Sequence, residues 1–423
     1  MTTPEELQSL KGMHDALPPD AGRLRALVDV CRGRFELAGY QQIETPLLED
    51  LRVFLRVGEG TDVVTKEMYA FTDRDGTEVA LRPETTAGVA RAFVQHHPQV
   101  PWKVWYDSAH FRHENTQRGR YRQHHQFGVE CLGSTDPDVD VEVIVGLWDT
   151  FTIGLGLRQL RLLINSIGSP ESRAVFAEQL RGFLDARRDR LDPEDRDRVD
   201  THPIRVLDSK RPRTIEAIAG HPQFADMMSV EESDHFDRVR QGLDAAGIDY
   251  QVDQRLVRGL DYYTHTVFEI VSDAIDAGQS TIGAGGRYDG LVESFGGDPT
   301  PGVGFGSGLE RVLLACDAEG VFPAQPLELA AFVVMFGDGN RDAARDLCRD
   351  LRRAGVAVDR AESGRSPKAQ MKVAGRSGAP IALLLGDDER AAGTVTVRDL
   401  RGDAPQRSVG RAELIDELRS TRP

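Results

Sequence analysis

The sequence predicts an α+β protein: a sheet-based domain interrupted by a block of helices, followed by a small α/β domain. Three patterns carry that reading. Strand-like segments (Val104 to Phe111, Tyr121 to Leu132, Thr266 to Val271) lie on either side of a charged, helix-like stretch from Glu171 to Gly247. Prolines at 323 and 326 mark a boundary. Beyond them, strand-like and helix-like runs alternate, the pattern of an α/β unit with a largely parallel or mixed sheet. The expected domains are 1–325, interrupted by a helical insertion at 171–250, and 326–423.

Taken in order, Pro18 to Gly39 reads as an amphipathic helix. Leu24, Leu27, Val28, Cys31, Phe35 and Ala38 recur at three- and four-residue spacing, and Gly39 stops the run. Gln42 to Pro46 reads as extended chain ended by proline. Alternation from Met68 to Leu81 around Arg74-Asp75-Gly76 predicts a hairpin. The strands Val104 to Phe111 and Tyr121 to Leu132 flank a polar loop, His113 to Arg120. Within the helical block, Arg187 to Asp200 is charge-dense and reads as a solvated helix face or linker. Strand-like sequence resumes at Gln251. In the last domain strands are expected at Ala330 to Phe336, Ala357 to Arg360, Ile381 to Leu385 and Thr394 to Arg398. Helices are expected at Arg341 to Ala354, Pro367 to Ala374 and Arg411 to Leu418.

Composition excludes several classes of function. The longest apolar run, Leu329 to Phe336, is far too short to span a bilayer. The N-terminus lacks the basic and then apolar regions of a secretory signal, so a cytoplasmic location is expected. Cys31, Cys131, Cys316 and Cys348 are widely spaced, which argues against a disulfide framework or a cysteine zinc site. The net charge of −16 disfavours general binding to nucleic acid, but residues 326–423 hold 17 Lys+Arg against 15 Asp+Glu. The acidity therefore belongs to the front of the chain, and charge permits an RNA partner for the last domain.

Three stretches carry chemistry. Leu256 to Tyr263 (LVRGLDYY) places Arg258, Gly259, Asp261 and two phenols within six positions. An arginine beside glycine can approach a phosphate with its planar fork, and the acid and phenols can hold a small polar ligand. In the second stretch, Phe111 to Glu130, Arg112 and Arg120 bracket a loop as a pair suited to polyphosphate. Gln126, Gly128 and Glu130 share one face of its following strand, and Gly128 would leave a shallow pocket between amide and carboxylate. Third, Gly302 to Arg311 lacks the ending of a P-loop, and no ribose-reading acid follows as in a dinucleotide fold. Its glycines suggest a strand against which a flat ring lies, with Arg311 at a helix start. The paired histidines (96/97, 110/113, 124/125) do not converge as a metal site requires, since His124 and His125 point to opposite faces of a strand.

Together these stretches resemble the histidyl-tRNA synthetases. Phe111 to Glu130 resembles motif 2 of class II aminoacyl-tRNA synthetases, Gly304 to Arg311 their motif 3, and the first helix with the Pro46 segment their motif 1. Arg258 to Tyr263, with Gly285 to Gly290, resembles the family's histidine-specific pair of motifs. Leu81 to Ala87 resembles its amino-acid-binding turn, and Leu329 to Leu418 its anticodon-binding domain. The resemblance implies a class II catalytic core, an antiparallel sheet flanked by helices, with a C-terminal α/β anticodon-binding domain. It implies L-histidine, ATP with Mg²⁺ and tRNA(His) as partners, a homodimer, and no tightly bound cofactor or structural metal.

By the same resemblance Arg112 and Arg311 hold ATP phosphates, Glu114 and Tyr121 lie around the adenosine, and Arg258 sits at the α-phosphate. Arg258 and Arg112 are thereby the expected catalytic residues. Glu84, Thr86 and Gln126 take the α-amino group, with Thr85 beside it. Glu130 and Tyr263 grip the imidazole nitrogens, while Tyr262 and Tyr288 line the pocket; Arg112 and Arg258 also reach the histidine. On a regular strand Arg258 and Tyr263 would face opposite ways, so a turn or bulge at Gly259 is required. The sequence departs from the family's frequent pattern at Asn115-Thr116, where Arg-Pro is common, and at Glu84-Thr85-Thr86, where Glu-Gly-Thr is common. Two rivals are weighed against this reading. A synthetase-like regulatory subunit of ATP phosphoribosyltransferase would lack the tail and the LVRGLDYY string, and a class II ligase for another amino acid would lack the histidine-specific pair.

Overall fold

The computed structural model describes residues 6–56, 58, 63–207, 209–257, 262–276, 280–325 and 328–420. The chain divides into two compact units, Met1–Ala324 and Gln325–Pro423.

In the first unit the strands are β1 (Gln41–Gln42), β2 (Leu48–Asp50), β3 (Tyr69–Thr72), β4 (Glu78–Leu81), β5 (Trp102–Phe111), β6 (Gln123–Leu132), β7 (Leu160–Ser166), β8 (Tyr250–Val252), β9 (Thr264–Ser272), β10 (Thr281–Arg287) and β11 (Gly302–Gly308). Eight of them form one sheet in the order β1-β5-β6-β11-β10-β9-β7-β8. Its five interior pairings are antiparallel, whereas the edge pairings β1–β5 and β7–β8 are parallel. The sheet is thus mixed at its rims. The anticipated hairpin is β3–β4, joined with β2 in a small sheet of order β2-β4-β3.

The two faces of the large sheet differ because side chains alternate along each strand. Odd positions Trp105, Phe127, Val129, Cys131, Val303 and Phe305 pack against Leu27, Cys31 and Phe35 of the helix Asp20–Leu37 and against Leu309 and Val312 of the helix Leu309–Glu319. This is the main core. Even positions face the other way, where the helix Thr86–His96 sets Val89 and Ala90 against Val104, Tyr106 and Leu132 and leaves the rest of that face uncovered by this cluster. All four cysteines are free and buried.

Between β7 and β8 lies the helical block, opened by the helix Pro170–Asp185 and closed by Val230–Ala245. Ser169 and Ser229 accept the amides of Ser172 and Glu232, and Glu232 completes a capping box at the second helix. The block has its own core around Phe176, Leu180, Leu184, Val206 and Phe224. Its charge-dense stretch departs from a uniformly solvated face: Leu191, Asp195 and Val199, four apart, are fully buried. Asp195 accepts from Ser209 Oγ at 2.6 Å, Thr214 Oγ1 at 2.8 Å and Arg211 at 2.8 Å, which compensates its burial.

The second unit contains β12 (Ala331–Met335), β13 (Val358–Arg360), β14 (Ile381–Leu385), β15 (Thr394–Asp399) and β16 (Arg407–Gly410) in the order β13-β12-β14-β15-β16. The first three strands are parallel and the last two pairings antiparallel. Helices Arg341–Arg353 and Arg411–Ser420 bury Leu347, Leu351, Leu414 and Leu418 with Val333 and Leu385. The helix Pro367–Arg376 buries Ala374 with Phe332, Val334 and Leu384. A short helix, Asp387–Ala392, and β16 add to the elements expected here.

Candidate active site

The uncovered face of the large sheet floors a cavity of about 440 Å³. Its floor is set by register. Tyr106 pairs with Gly128, Gly128 with Gly306, Gly306 with Ala284, and Ala284 with Glu269, so five strands contribute one row. The next row places Glu130 opposite Gly304, and the other side places Gln126 opposite Gly308.

The glycines of β11 serve the protein's own side chains. A methyl at Gly302 would overlap the Tyr288 ring, and one at Gly304 would overlap the Glu130 carboxylate. One at Gly306 would lie 3.0 Å from the Gln126 amide, whereas among the described residues nothing lies within 4 Å of the Gly308 position. The flat, open part of the strip is therefore its Gly308 end. Gly128 also departs from the expected shallow pocket: the Tyr106 ring fills the space a side chain would take.

At the inner end two carboxylates are buried together. Glu130, 1% exposed, accepts from Thr86 Oγ1 at 2.6 Å, from the Tyr288 hydroxyl, and from Tyr106 at 3.4 Å. Glu84 accepts the amides of Thr86 at 3.1 Å and Ala87 at 2.8 Å, at the first turn of the helix Thr86–His96, where the dipole favours an anion. Thr86 thus bridges both acids. Burial pushes the Glu130 carboxyl up to about 8, against the lowering effect of its hydroxyl donors, and the neighbouring Glu84 charge adds to the rise. Glu84 is also raised, chiefly by burial. The Tyr262 and Tyr263 rings lie 4.7 Å apart, Tyr262 meets Tyr288 edge-on at 5.7 Å, and the Tyr262 hydroxyl reaches Glu84 at 3.5 Å. Both Tyr262 and Tyr263 line the cavity. They precede β9, so strand parity does not govern them. Arg258 and Gly259 lie outside the described residues, and with them the required turn.

At the outer end Arg112, Arg120 and Arg311 line the same cavity. Arg112 Nε donates to the Pro83 carbonyl at 2.8 Å, and Arg311 Nε to the Gly119 carbonyl at 3.2 Å. Glu114, expected near adenosine, is paired with Arg120 and lies 3.9 Å from Arg112. Tyr121 lines the cavity and packs its ring 4.4 Å from His14. Burial, then the Arg120 and Arg112 charges, pull Arg311 below its ordinary value. Burial and the Arg112 and Arg311 charges bring His124 down to about 3, so it faces the site neutral.

Thr85 is brought to the cavity, yet its hydroxyl bonds inward to Ser108 at 2.9 Å and His110 Nε2 at 2.7 Å. Gln126 lines the cavity, and Tyr288 stands behind the carboxylates. Several lining residues had no assigned role in the sequence: Tyr106, Glu269, Thr281 and, from the helical block, Lys210. Tyr106 was accessible to reasoning through its parity with Ser108 and Gly128; Lys210, far away in sequence, carried no signal. Arg287, within the second histidine-specific segment, is a structural residue. Fully buried, it pairs with Asp140 and donates to the Ser134 carbonyl at 2.7 Å. Among the described residues no group of three or more His, Cys, Asp or Glu could hold a metal ion.

Comparison with known proteins decides the family. The family model "Histidyl-tRNA synthetase" matches residues 12–312, and "Anticodon binding domain" matches residues 330–421. The chain belongs to the histidyl-tRNA synthetase family. A histidine–tRNA ligase of Synechococcus sp. (strain WH7803) is 46% identical over 93% of this chain and 92% of its own. One from Nocardia farcinica is 45% identical over 99% of each. Among solved structures, the apo histidyl-tRNA synthetase of S. aureus superposes with a TM-score of 0.82 at 31% identity, covering 98% of this chain and 100% of its own. With these relatives the family core and its anticodon-binding domain are both present, and the enzyme class is aminoacyl-tRNA ligase.

Proposed function

We propose that this site activates L-histidine with ATP to histidyl-adenylate and then transfers histidine to the 3′ end of tRNA(His). The observation that carries the amino-acid choice is the inner pair of acids, Glu84 and Glu130, bridged by Thr86 and surrounded by phenols. Such a site suits a ligand with an ammonium group and ring N–H donors. It penalises one without them, because buried acceptors would be left unpaired.

In the first step a histidine carboxylate oxygen attacks the α-phosphorus of ATP, and the bond to diphosphate breaks. Arg112 and Arg311 hold the phosphates, and Mg²⁺ arrives as part of the ATP complex, neutralising charge on the outer phosphates. Arg258 is assigned to the α-phosphate by family resemblance and stabilises charge that develops there. Glu84, Thr86 and Gln126 take the α-amino group, and Glu130 with Tyr263 takes the imidazole. Glu114 and Tyr121 border the adenosine, which lies toward the open Gly308 end of the strip. In the second step a terminal tRNA hydroxyl attacks the activated carbonyl and AMP leaves. The second unit recognises the anticodon, and the enzyme works as a cytoplasmic homodimer. Light scattering at twice the chain mass tests the dimer.

The presence of the anticodon-binding unit favours the ligase over a regulatory synthetase-like subunit. Histidine-dependent exchange of labelled diphosphate into ATP, with Mg²⁺ present, is the direct test. Exchange specific for histidine is the expected result; none with any standard amino acid would reject the ligase reading.

A further inference from the structure

We propose that Ser108 and His110 are positioning residues for histidine binding: they hold the Thr85 hydroxyl away from the start of the helix Thr86–His96 and so reserve that helix end for the Glu84 carboxylate. This role rests on the histidine-activation reading above, in which Glu84 takes the α-amino group, and it adds what sets that acid in place.

Thr85 occupies the cap position of this helix. A threonine there ordinarily has an extended backbone, and its hydroxyl accepts an amide of the first turn, here that of Ala87 or Gly88. Thr85 does neither. Its backbone angles, φ −103° and ψ −26°, are helical, and its side chain caps no described amide. The hydroxyl lies instead 2.9 Å from Ser108 Oγ and 2.7 Å from His110 Nε2. Glu84 takes what Thr85 leaves open, accepting the amides of Thr86 at 3.1 Å and Ala87 at 2.8 Å. Two side chains thus compete for one helix end, because threonine readily bonds its own local backbone. Glu84 holds it.

The two residues that divert Thr85 are built for it. Ser108 and His110 lie two apart on β5, so they share the face toward this helix. His110 is fully buried and Ser108 nearly so. Burial, then His124 and the Arg112 and Arg82 charges, holds His110 well below its ordinary value, so the ring is neutral. Its Nδ1 has no partner among the described residues, which leaves Nε2 as the nitrogen that fixes the ring. The effect reaches past Glu84. Thr86, whose amide Glu84 accepts, gives its hydroxyl to Glu130 at 2.6 Å, so a turn redrawn around a capping Thr85 would disturb both acids.

The test compares variants of the full-length protein in histidine-dependent diphosphate exchange. Ser108→Ala combined with His110→Leu releases the Thr85 hydroxyl. It is expected to raise the KM for histidine about fivefold, the scale of one helix cap, with kcat and the KM for ATP within about twofold of the parent. Inhibition by histamine, which keeps the ammonium, should weaken to the same extent, and inhibition by imidazolepropionate, which lacks it, should not. Adding Thr85→Val removes the competing hydroxyl and all three polar groups together, so the KM for histidine is expected to return to within about twofold of the parent. Damage to packing alone would accumulate with the third substitution instead. Should the double variant fail to fold, His110→Leu with and without Thr85→Val makes the same comparison. A KM for histidine unmoved by releasing the hydroxyl, a loss shared by kcat or by imidazolepropionate, or a triple variant no better than the double overturns the proposal. A parent without histidine-dependent exchange would reject the ligase reading and this role together, whereas exchange with an unmoved KM rejects this role alone.

Discussion

At the outer end of the catalytic cavity Arg112, Arg120 and Arg311 are tied to backbone carbonyls and to Glu114. At the inner end Glu84 and Glu130 sit deep, bonded to hydroxyls and amides, with one of them raised to about 8. The arginine end offers several like charges, which under the proposed function serve one polyvalent ligand, so losing part of one is shared by the others. The acid end uses directed bonds from single groups, each with no substitute. Under the proposed function, affinity for a nucleotide is spread out, whereas choice of amino acid is concentrated.

The sharpest way to break that contrast is Glu130→Gln. It is expected to lower histidine-dependent exchange by roughly 10³-fold while the KM for ATP stays within about threefold. A rise in the KM for ATP as large as the fall in exchange would show that the two ends are not separable. The same variant reports on stability. A carboxyl whose folded value is raised from the ordinary 4.5 to about 8 holds its proton longer folded than unfolded. Its contribution is complete below about 4.5 and is lost as pH rises through 8, by up to on the order of 5 kcal/mol. Denaturant titrations between pH 5 and 9 (roughly the span over which the linkage acts) are expected to show parental stability falling relative to Glu130→Gln.

A smaller effect is expected at the arginine end. Arg311→Lys replaces a fork by a point charge and should raise the KM for ATP roughly tenfold, leaving amino-acid selectivity intact. Altered selectivity in competitive exchange assays would contradict the division of labour. Smallest is Tyr106→Phe, which removes the 3.4 Å bond to Glu130 and the hydroxyl's bond with Thr86 and keeps the ring over Gly128. Exchange should change by less than about threefold.

Much of this was legible in the chain. Strands β5 and β6 and the helix start at Arg311 follow from alternation and glycine punctuation, because the even and odd faces meet such different surroundings. Residues 126, 128 and 130 were read onto one face by the same parity. What the chain does not disclose is who fills a glycine's space. The gap at Gly128 is taken by Tyr106, and those at Gly302 and Gly304 by Tyr288 and Glu130, all contributed across strand pairings of large sequence separation. Nor could charge density reveal that Asp195 is buried, since its partners Ser209, Thr214 and Arg211 lie 14 to 19 residues on. Composition reports how many charges a segment has, not which one turns inward.

The bare strip of β11 has a consequence for inhibition. Gly302 and Gly304 are locked by the Tyr288 ring and the Glu130 carboxylate, and Gly306 lies tight against the Gln126 amide, so a side chain at the first two disturbs the enzyme itself. Of the β11 glycines, Gly308 alone has nothing within 4 Å of an added methyl among the described residues. An inhibitor that gains potency by pressing a flat ring on that spot exposes itself to the simplest escape: Gly308→Ala should leave exchange within about threefold of the parent while expelling the drug by a single carbon. Compounds anchored on Glu130 and Thr86 would meet no such cheap exit, because resistance there removes the enzyme's own grip on its substrate.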